Sequence, residues 1–125
     1  MGKKPEVTYS EEEVRERLER ELPHWYLENG WIRRKYRTAG WKATLMVVNT
    51  VGHLAEAAWH HPDLNVSFAF VIVKLQTHSA KGITDQDFAL ARKIEEVVHW
   101  QPENEPDAVL GGTPEDPRFK YIKYD

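Results

Sequence analysis

Residues 39–78, AGWKATLMVVNTVGHLAEAAWHHPDLNVSFAFVIVKLQTH, contain a helical pattern that is followed at once by a strand pattern. In the first half, apolar residues recur every three or four positions, which predicts an amphipathic helix that begins near Gly40. We expect its apolar face to be wide, because two stripes run side by side. One stripe contains Trp41, Leu45, Val48, Gly52, Ala55 and Trp59, and the other contains Val47, Val51, Leu54 and Ala58.

The second half of this stretch has the pattern of an extended chain. Pro62 disfavours a helical backbone at His61, so we expect the helix to end there. β-Branched and aromatic residues then predominate, which predicts a strand. The segment before Val71 either extends this strand or forms a separate short one. Because side chains alternate along a strand, one face should carry Val71, Val73, Leu75 and Thr77, and the other Ile72, Lys74 and Gln76.

Two further helices are indicated by paired polar residues at their starts. Ser10 with Glu13, and Thr84 with Asp87, have the spacing of a capping box, in which each side chain accepts a hydrogen bond from a free backbone N–H. The first helix should stop at Pro23, which cannot continue it. The second should carry its apolar face on Phe88, Ala91, Ile94 and Val98.

A β-hairpin is predicted between the first two helices. Asn29-Gly30 readily adopts the positive φ angles of a two-residue turn, and it joins aromatic-rich segments at about residues 24–28 and 31–38. The element order is then α-β-β-α-β-β-α. This order predicts an α+β fold with two layers: a mostly antiparallel four-stranded sheet and helices packed on one face of it.

Length and composition indicate one domain with an extension. The 125 residues can bury a core, and we expect this domain to span residues 1–100. Residues 101–125, rich in proline and glycine, form a C-terminal extension whose last segment, RFKYIKYD, could be an edge strand. A net charge of −3 argues against nucleic acid as a partner. Without a long apolar run, a secretory signal or a cysteine, we expect a cytoplasmic protein that does not span a membrane.

Three histidines are candidates for a functional site. His60 and His61 are adjacent at the predicted helix end, where the free carbonyl groups favour imidazolium, so a purely structural role is open to them. Glu56 lies four residues before His60 and could fix its tautomer. His78 follows the predicted strand, where a functional side chain or a surface histidine would both fit. Asp87 is explained by its capping role, although it could also face a pocket.

Several kinds of catalytic site lack support in the sequence. The HExxH zinc spacing is absent, and His53 and His60 lie two helical turns apart, so we expect no metal. There is no GxSxG nucleophile elbow, no cysteine and no glycine-rich phosphate loop. Acid–base chemistry by histidine remains compatible with the residues present.

The segments EAAWHHPDLNVSF and THSAKGITDQD closely resemble the pterin-4a-carbinolamine dehydratases. That family has an acidic residue, His-His-Pro, a following aromatic residue, then Thr-His at a strand end and a later aspartate. The resemblance extends from about residue 25 to residue 98. The matching positions are Glu56, His60, His61, Pro62, Phe68, Thr77, His78 and Asp87.

The resemblance implies an enzyme that dehydrates 4a-hydroxytetrahydropterin to quinonoid dihydropterin in tetrahydropterin recycling, with no cofactor and no metal. It implies that His60, His61 and His78 line the pocket. Our hypothesis for their roles is that His60 and His78 flank the reacting edge as acid and base, while His61 binds the hydroxyl group. Glu56 would orient His60, and Asp87 would polarise a histidine or bind the pterin. Thr77 would contact the ring through its backbone.

The resemblance leaves other functions open. The chain could be a pterin-binding or chaperone module, for example in molybdenum-cofactor metabolism, or a protein-interaction cofactor with secondary dehydratase activity. The family resemblance and the exposed apolar strand residues both predict a homodimer or homotetramer. Trp25 either covers the pocket or belongs to the core under the hairpin.

Overall fold

The computed structural model describes residues 6–125. Within this part of the chain three helices and four strands follow one another in the predicted order, so the predicted α+β class is confirmed. Both capping boxes are present, at Ser10–Glu13 and Thr84–Asp87. The elements are α1 (Glu11–Glu21), β1 (Tyr26–Glu28), β2 (Trp31–Arg37), α2 (Trp41–Ala58), β3 (Asp63–Ser67), β4 (Phe70–Leu75) and α3 (Asp85–Val98).

The four strands form one sheet in the order β1-β2-β4-β3. Every neighbouring pair is antiparallel. Asn29 and Gly30 have φ angles of 50° and 81°, as the predicted turn between β1 and β2 requires. The segment before Val71 proves to be a separate strand, since β3 pairs with β4 through a second hairpin. The C-terminal end of β4 therefore lies near the centre of the sheet.

The helices cover one face of the sheet and enclose the core. Alternate residues of β2 and β4 point into this layer, and they are almost completely buried, as the two-residue periodicity predicts. Their core side chains include Ile32, Tyr36, Val71, Val73 and Leu75. Trp25 is 3% exposed and donates its indole N–H to Glu95, so it belongs to the core under the hairpin and does not line the pocket that contains the three histidines.

Helix α2 ends earlier than predicted. Its last helical residue is Ala58, and Trp59 follows in the left-handed conformation with a φ angle of 52°. The amide of His60 donates to the carbonyl of Ala55, which closes the helix. Pro62 sets only the latest position at which the helix could end, and the chain turns away before it reaches that limit. His60 and His61 therefore lie in the connection to β3.

The apolar face of α2 is only partly buried. The second stripe packs on the core, with Val51 fully buried and Val47 nearly so. The first stripe was expected to pack beside it. However, Trp41 and Leu45 are 50% and 39% exposed. The sequence shows that these positions are apolar, but it does not show whether another part of the chain packs over them.

The C-terminal extension packs against the sheet through a single bridge. Ile122 is 5% exposed and pairs antiparallel with Thr38 just beyond β2. The amide of Lys123 donates to the carbonyl of Arg37 at 2.9 Å. Asp125 then contacts Arg34, so the extension reaches the buried layer. The division of the chain at residue 100 stays a prediction.

A buried charged cluster lies beneath the extension. Arg34 points into the core from β2 and is 2% exposed. Its guanidinium contacts Glu95 of α3 and Asp125 of the extension, each at 2.8 Å. Burial raises the pKa of Glu95, but the hydrogen bonds from Arg34 outweigh it, so this pKa lies below its ordinary value. Both carboxylates therefore balance the buried cation.

Candidate active site

A cavity of about 290 Å³ opens where the end of α2, the end of β4 and the start of α3 meet. Each of these elements has one terminus at this point, so side chains that are far apart in the sequence line the same cavity. The cavity brings together the three histidines that were singled out in the sequence. The residues that line it are Glu6, Trp59, His60, His61, Thr77, His78, Ser79 and Gln86.

His60 is held by a buried carboxylate. Its Nε2 lies 2.7 Å from Oδ1 of Asp87, which is completely buried at the start of α3. The other oxygen, Oδ2, accepts from the hydroxyl of Thr77 at 2.7 Å and from the amide of Thr84 at 2.9 Å. An ionised carboxylate can only accept, so Nε2 of His60 carries the proton. In the neutral ring, Nδ1 then holds the free lone pair.

Thr77 contacts Asp87 through its hydroxyl group, whereas the resemblance predicted a contact to the pterin ring through its backbone. Its backbone N–H and C=O both pair with Gly82, in a bridge that closes the loop after β4. Its hydroxyl lies between Asp87 and the hydroxyl of Thr84, at 2.7 and 2.8 Å. The structure therefore gives Thr77 a contact to the carboxylate that holds His60, while its backbone is already paired within the chain.

Glu56 contacts His61 and not His60. The carboxylate Oε2 lies 2.5 Å from Nε2 of His61, and both side chains are largely exposed. The expectation that Glu56 orients His60 assumed that the helix continues to His61. Because α2 ends at Ala58, His60 turns towards α3 and His61 takes the position near Glu56.

His78 enters the cavity from the sheet. It begins a short 3-10 turn directly after β4 and Thr77. Its ring packs edge-to-face against Trp31 of β2, with 5.6 Å between the ring centroids. His78 is exposed, so a ligand in the cavity can reach it.

Four residues that line the cavity were not predicted from the sequence. Glu6 comes from the segment before α1, and its carboxylate accepts a hydrogen bond from the hydroxyl of Ser79 at 2.8 Å. Gln86 comes from the first turn of α3, and Trp59 follows α2. Their positions depend on where chain ends and helix ends meet, and no local pattern indicates this.

The other histidines lie outside this cavity. His53 is exposed on α2. His99 packs beside Arg34 and Tyr36, and its buried Nε2 has no hydrogen-bond partner among residues 6–125. Burial holds the pKa of His99 below its ordinary value. Among residues 6–125, no group of three or more His, Asp and Glu side chains is arranged to hold a metal ion.

The geometry provides several sites for proton transfer around one space. His60 is backed by a buried carboxylate, in the arrangement that the histidine and aspartate of a catalytic triad have. His61 and His78 are reachable from solvent, and an imidazole ring can donate a proton from one nitrogen and accept one at the other. This arrangement can protonate one atom of a ligand and deprotonate another.

Comparisons with known proteins find one protein family for most of the chain. The model of the family "Pterin 4 alpha carbinolamine dehydratase" matches residues 7–97. A relative from Aquifex aeolicus, named "Putative pterin-4-alpha-carbinolamine dehydratase", is 52% identical over 89 residues, which cover 71% of this chain and 89% of the relative. A relative of the same name from Chloroflexus aurantiacus is 45% identical over 89 residues, covering 71% of this chain and 95% of the relative.

Two solved structures have a similar fold. The transcriptional coactivator/pterin dehydratase from Brucella melitensis is 28% identical, with a TM-score of 0.67, and the match covers 74% of this chain and 99% of that one. A pterin dehydratase-like protein described as a RuBisCO assembly factor in the alpha-carboxysome is 13% identical, with a TM-score of 0.50. That match covers 60% of this chain and 87% of the other, and it shows the fold alone.

Proposed function

The chain belongs to the pterin 4 alpha carbinolamine dehydratase family, and from that premise we propose that its histidine cavity dehydrates 4a-hydroxytetrahydropterin. The enzyme is a carbon–oxygen hydro-lyase. The observation that carries the proposal is the meeting of His60, His61 and His78 at one cavity, with His60 paired to a completely buried carboxylate. The product, a quinonoid dihydropterin, would return to tetrahydropterin by reduction.

The reaction needs one proton donor and one proton acceptor. The C4a–O bond breaks and the hydroxyl group leaves as water, so its oxygen must gain a proton. N5 loses its proton, and its electrons form the double bond between N5 and C4a. Proton gain and loss balance, so the enzyme returns to its starting state once the two histidines re-equilibrate. Imidazole suits both tasks because its pKa is near neutral pH.

We assign the base to His60 and the acid to His78. Asp87 stabilises the imidazolium that forms when the free Nδ1 of His60 takes the N5 proton. His78 enters the cavity from the end of β4 and is exposed, so it is accessible to a departing hydroxyl group. His61, held by Glu56 at 2.5 Å, would bind and orient that hydroxyl group.

The test is a stopped-flow measurement of carbinolamine dehydration by histidine variants. His60→Gln and His78→Gln keep a hydrogen-bonding side chain but cannot exchange protons near neutral pH. Each should lower kcat by about a hundredfold or more, the usual contribution of a placed acid or base. His61→Gln should act mainly on KM.

His53→Gln is the matched control, because His53 is an exposed histidine of α2 outside the cavity. It should retain the wild-type rate. If His60→Gln and His78→Gln both kept that rate while folding normally, histidine catalysis in this cavity would be refuted, and a role in pterin binding alone would replace it.

A further inference from the structure

Trp59 holds an unusual backbone conformation at the edge of the histidine cavity. Its φ and ψ angles are 52° and 47°, in the left-handed region. After a helix this position is usually occupied by glycine or asparagine, which tolerate the conformation far better than a bulky side chain does. Strained residues of this kind persist where the surrounding structure holds them, and they concentrate at functional sites.

The indole ring of Trp59 is presented to solvent and not to the core. The residue is 77% exposed, a large value for an aromatic side chain. The ring packs edge-to-face with His61, with 4.9 Å between the ring centroids. The left-handed backbone therefore places an accessible aromatic surface beside one of the three histidines, where a helical backbone would have continued the surface of α2.

Trp59 also lines two neighbouring cavities, as Gln86 does. On one side it lines the histidine cavity. On the other side it lines a neighbouring space of about 570 Å³ between α2 and α3, whose walls are mainly apolar and include Leu54, Ala58 and Leu90. A flat ligand in the histidine cavity that reached towards this second space would come next to Trp59 and Gln86, the two residues that line both cavities.

We propose that Trp59 is a substrate-binding residue, which stacks on the bicyclic ring of the pterin and holds its N5–C4a edge against the histidines. This inference rests on the proposed function. The pterin ring is planar and conjugated, and planar heterocycles stack well on tryptophan, as nucleobases do. Stacking is insensitive to the protonation changes of the reaction, so Trp59 contributes to binding and not to proton transfer.

Trp59→Asn tests the proposal, because asparagine keeps the left-handed backbone while it removes the ring. Stacking on a nucleobase typically contributes about tenfold or more in affinity. The variant should therefore raise KM for the carbinolamine about tenfold and change kcat less than about threefold. In calorimetry, the affinity for 7,8-dihydrobiopterin should fall by a similar factor. Trp59→Phe, which keeps an aromatic face, should recover most of both losses.

Trp100→Asn is the control, because Trp100 is another exposed tryptophan, which follows α3 and lies outside the cavity. It should leave KM and dihydropterin affinity unchanged. An inactive wild-type protein would refute the proposed function itself. An active wild type with an unaltered KM and dihydropterin affinity in Trp59→Asn would refute only the role of Trp59. If that variant changed the sedimenting mass with both values unaltered, Trp59 would be a contact between copies of the chain.

Discussion

At the scale of single residues, Asp87 performs two tasks with one carboxylate. Oδ2 accepts from the amide of Thr84 and completes the cap of α3, while Oδ1 receives Nε2–H of His60. The capping role is apparent from the sequence spacing alone. The second task is not, because it depends on the chain from α2 turning towards the start of α3.

Asp87→Asn should separate these two tasks. The amide oxygen of asparagine can still cap the helix, but the negative charge beside His60 is lost. We expect kcat to fall by about a hundredfold, since the imidazolium of His60 is no longer stabilised. We expect the free energy of unfolding to fall by only about 1 kcal/mol, the usual effect at a helix cap. Stopped-flow kinetics and urea unfolding measure the two effects.

Glu13→Gln is the matched control, because Glu13 occupies the same capping position in α1 and lies away from the cavity. It should reproduce the small loss of stability with no loss of activity. An Asp87→Asn protein with wild-type kcat would show that the charge of Asp87 plays no part in the chemistry.

The sequence predicted which histidines meet but not how they are paired. His60, His61 and His78 were singled out by their motif, and the cavity contains all three. The contact between Glu56 and His61 was missed, because a helix of regular geometry would place residue 60 above residue 56. The left-handed turn at Trp59 breaks that geometry, and no rule of helix termination predicts it at a tryptophan.

At the scale of secondary structure, local sequence patterns were sufficient to predict most of the helices and strands. The alternation in β4, the turn at Asn29-Gly30 and the two capping boxes each have a local physical cause, and each was predicted from it. No local sequence pattern determines where the extension after residue 100 packs. Its position depends on one buried side chain and on the Arg34 cluster, which are contacts between distant parts of the chain.

Ile122→Ala should show how much this contact stabilises the fold. Ile122 is 5% exposed and packs with the core. Its truncation leaves a cavity and should lower the free energy of unfolding by about 2–5 kcal/mol in urea. Leu110→Ala, in the same extension but 59% exposed, should change it by less than about 0.5 kcal/mol. Equal effects from the two variants would mean that the extension does not dock as described.

At the scale of the whole molecule, large apolar side chains are exposed on several elements, and three of them lie close together in the first turns of α2. Trp41, Leu45 and Met46 are between 39% and 50% exposed on this helix. On the open face of the sheet, Lys35 lies over the ring of Phe70 at 4.2 Å, so part of the apolar surface there is covered by the chain itself. Within residues 6–125, no helix has the length and hydropathy that crossing a bilayer requires.

We predict that a second copy covers the exposed face of α2, giving a homodimer or homotetramer. A two-fold pair is the commonest closed assembly, and burial of these side chains favours it. Sedimentation equilibrium at tens of micromolar should give a multiple of the 14.6 kDa chain mass. Leu45→Glu should shift the protein towards the monomer. A single wild-type species near 14.6 kDa would contradict the prediction.

The most direct test of the central claim is the stopped-flow rate of 4a-hydroxytetrahydropterin dehydration by the wild-type protein after treatment with a chelator. Acid–base chemistry by His60 and His78 requires no metal. We therefore expect a rate that rises in proportion to protein concentration, far above the spontaneous reaction, and that is unchanged by the chelator. A rate equal to the spontaneous one at micromolar protein, or activity that the chelator abolishes, would contradict this account.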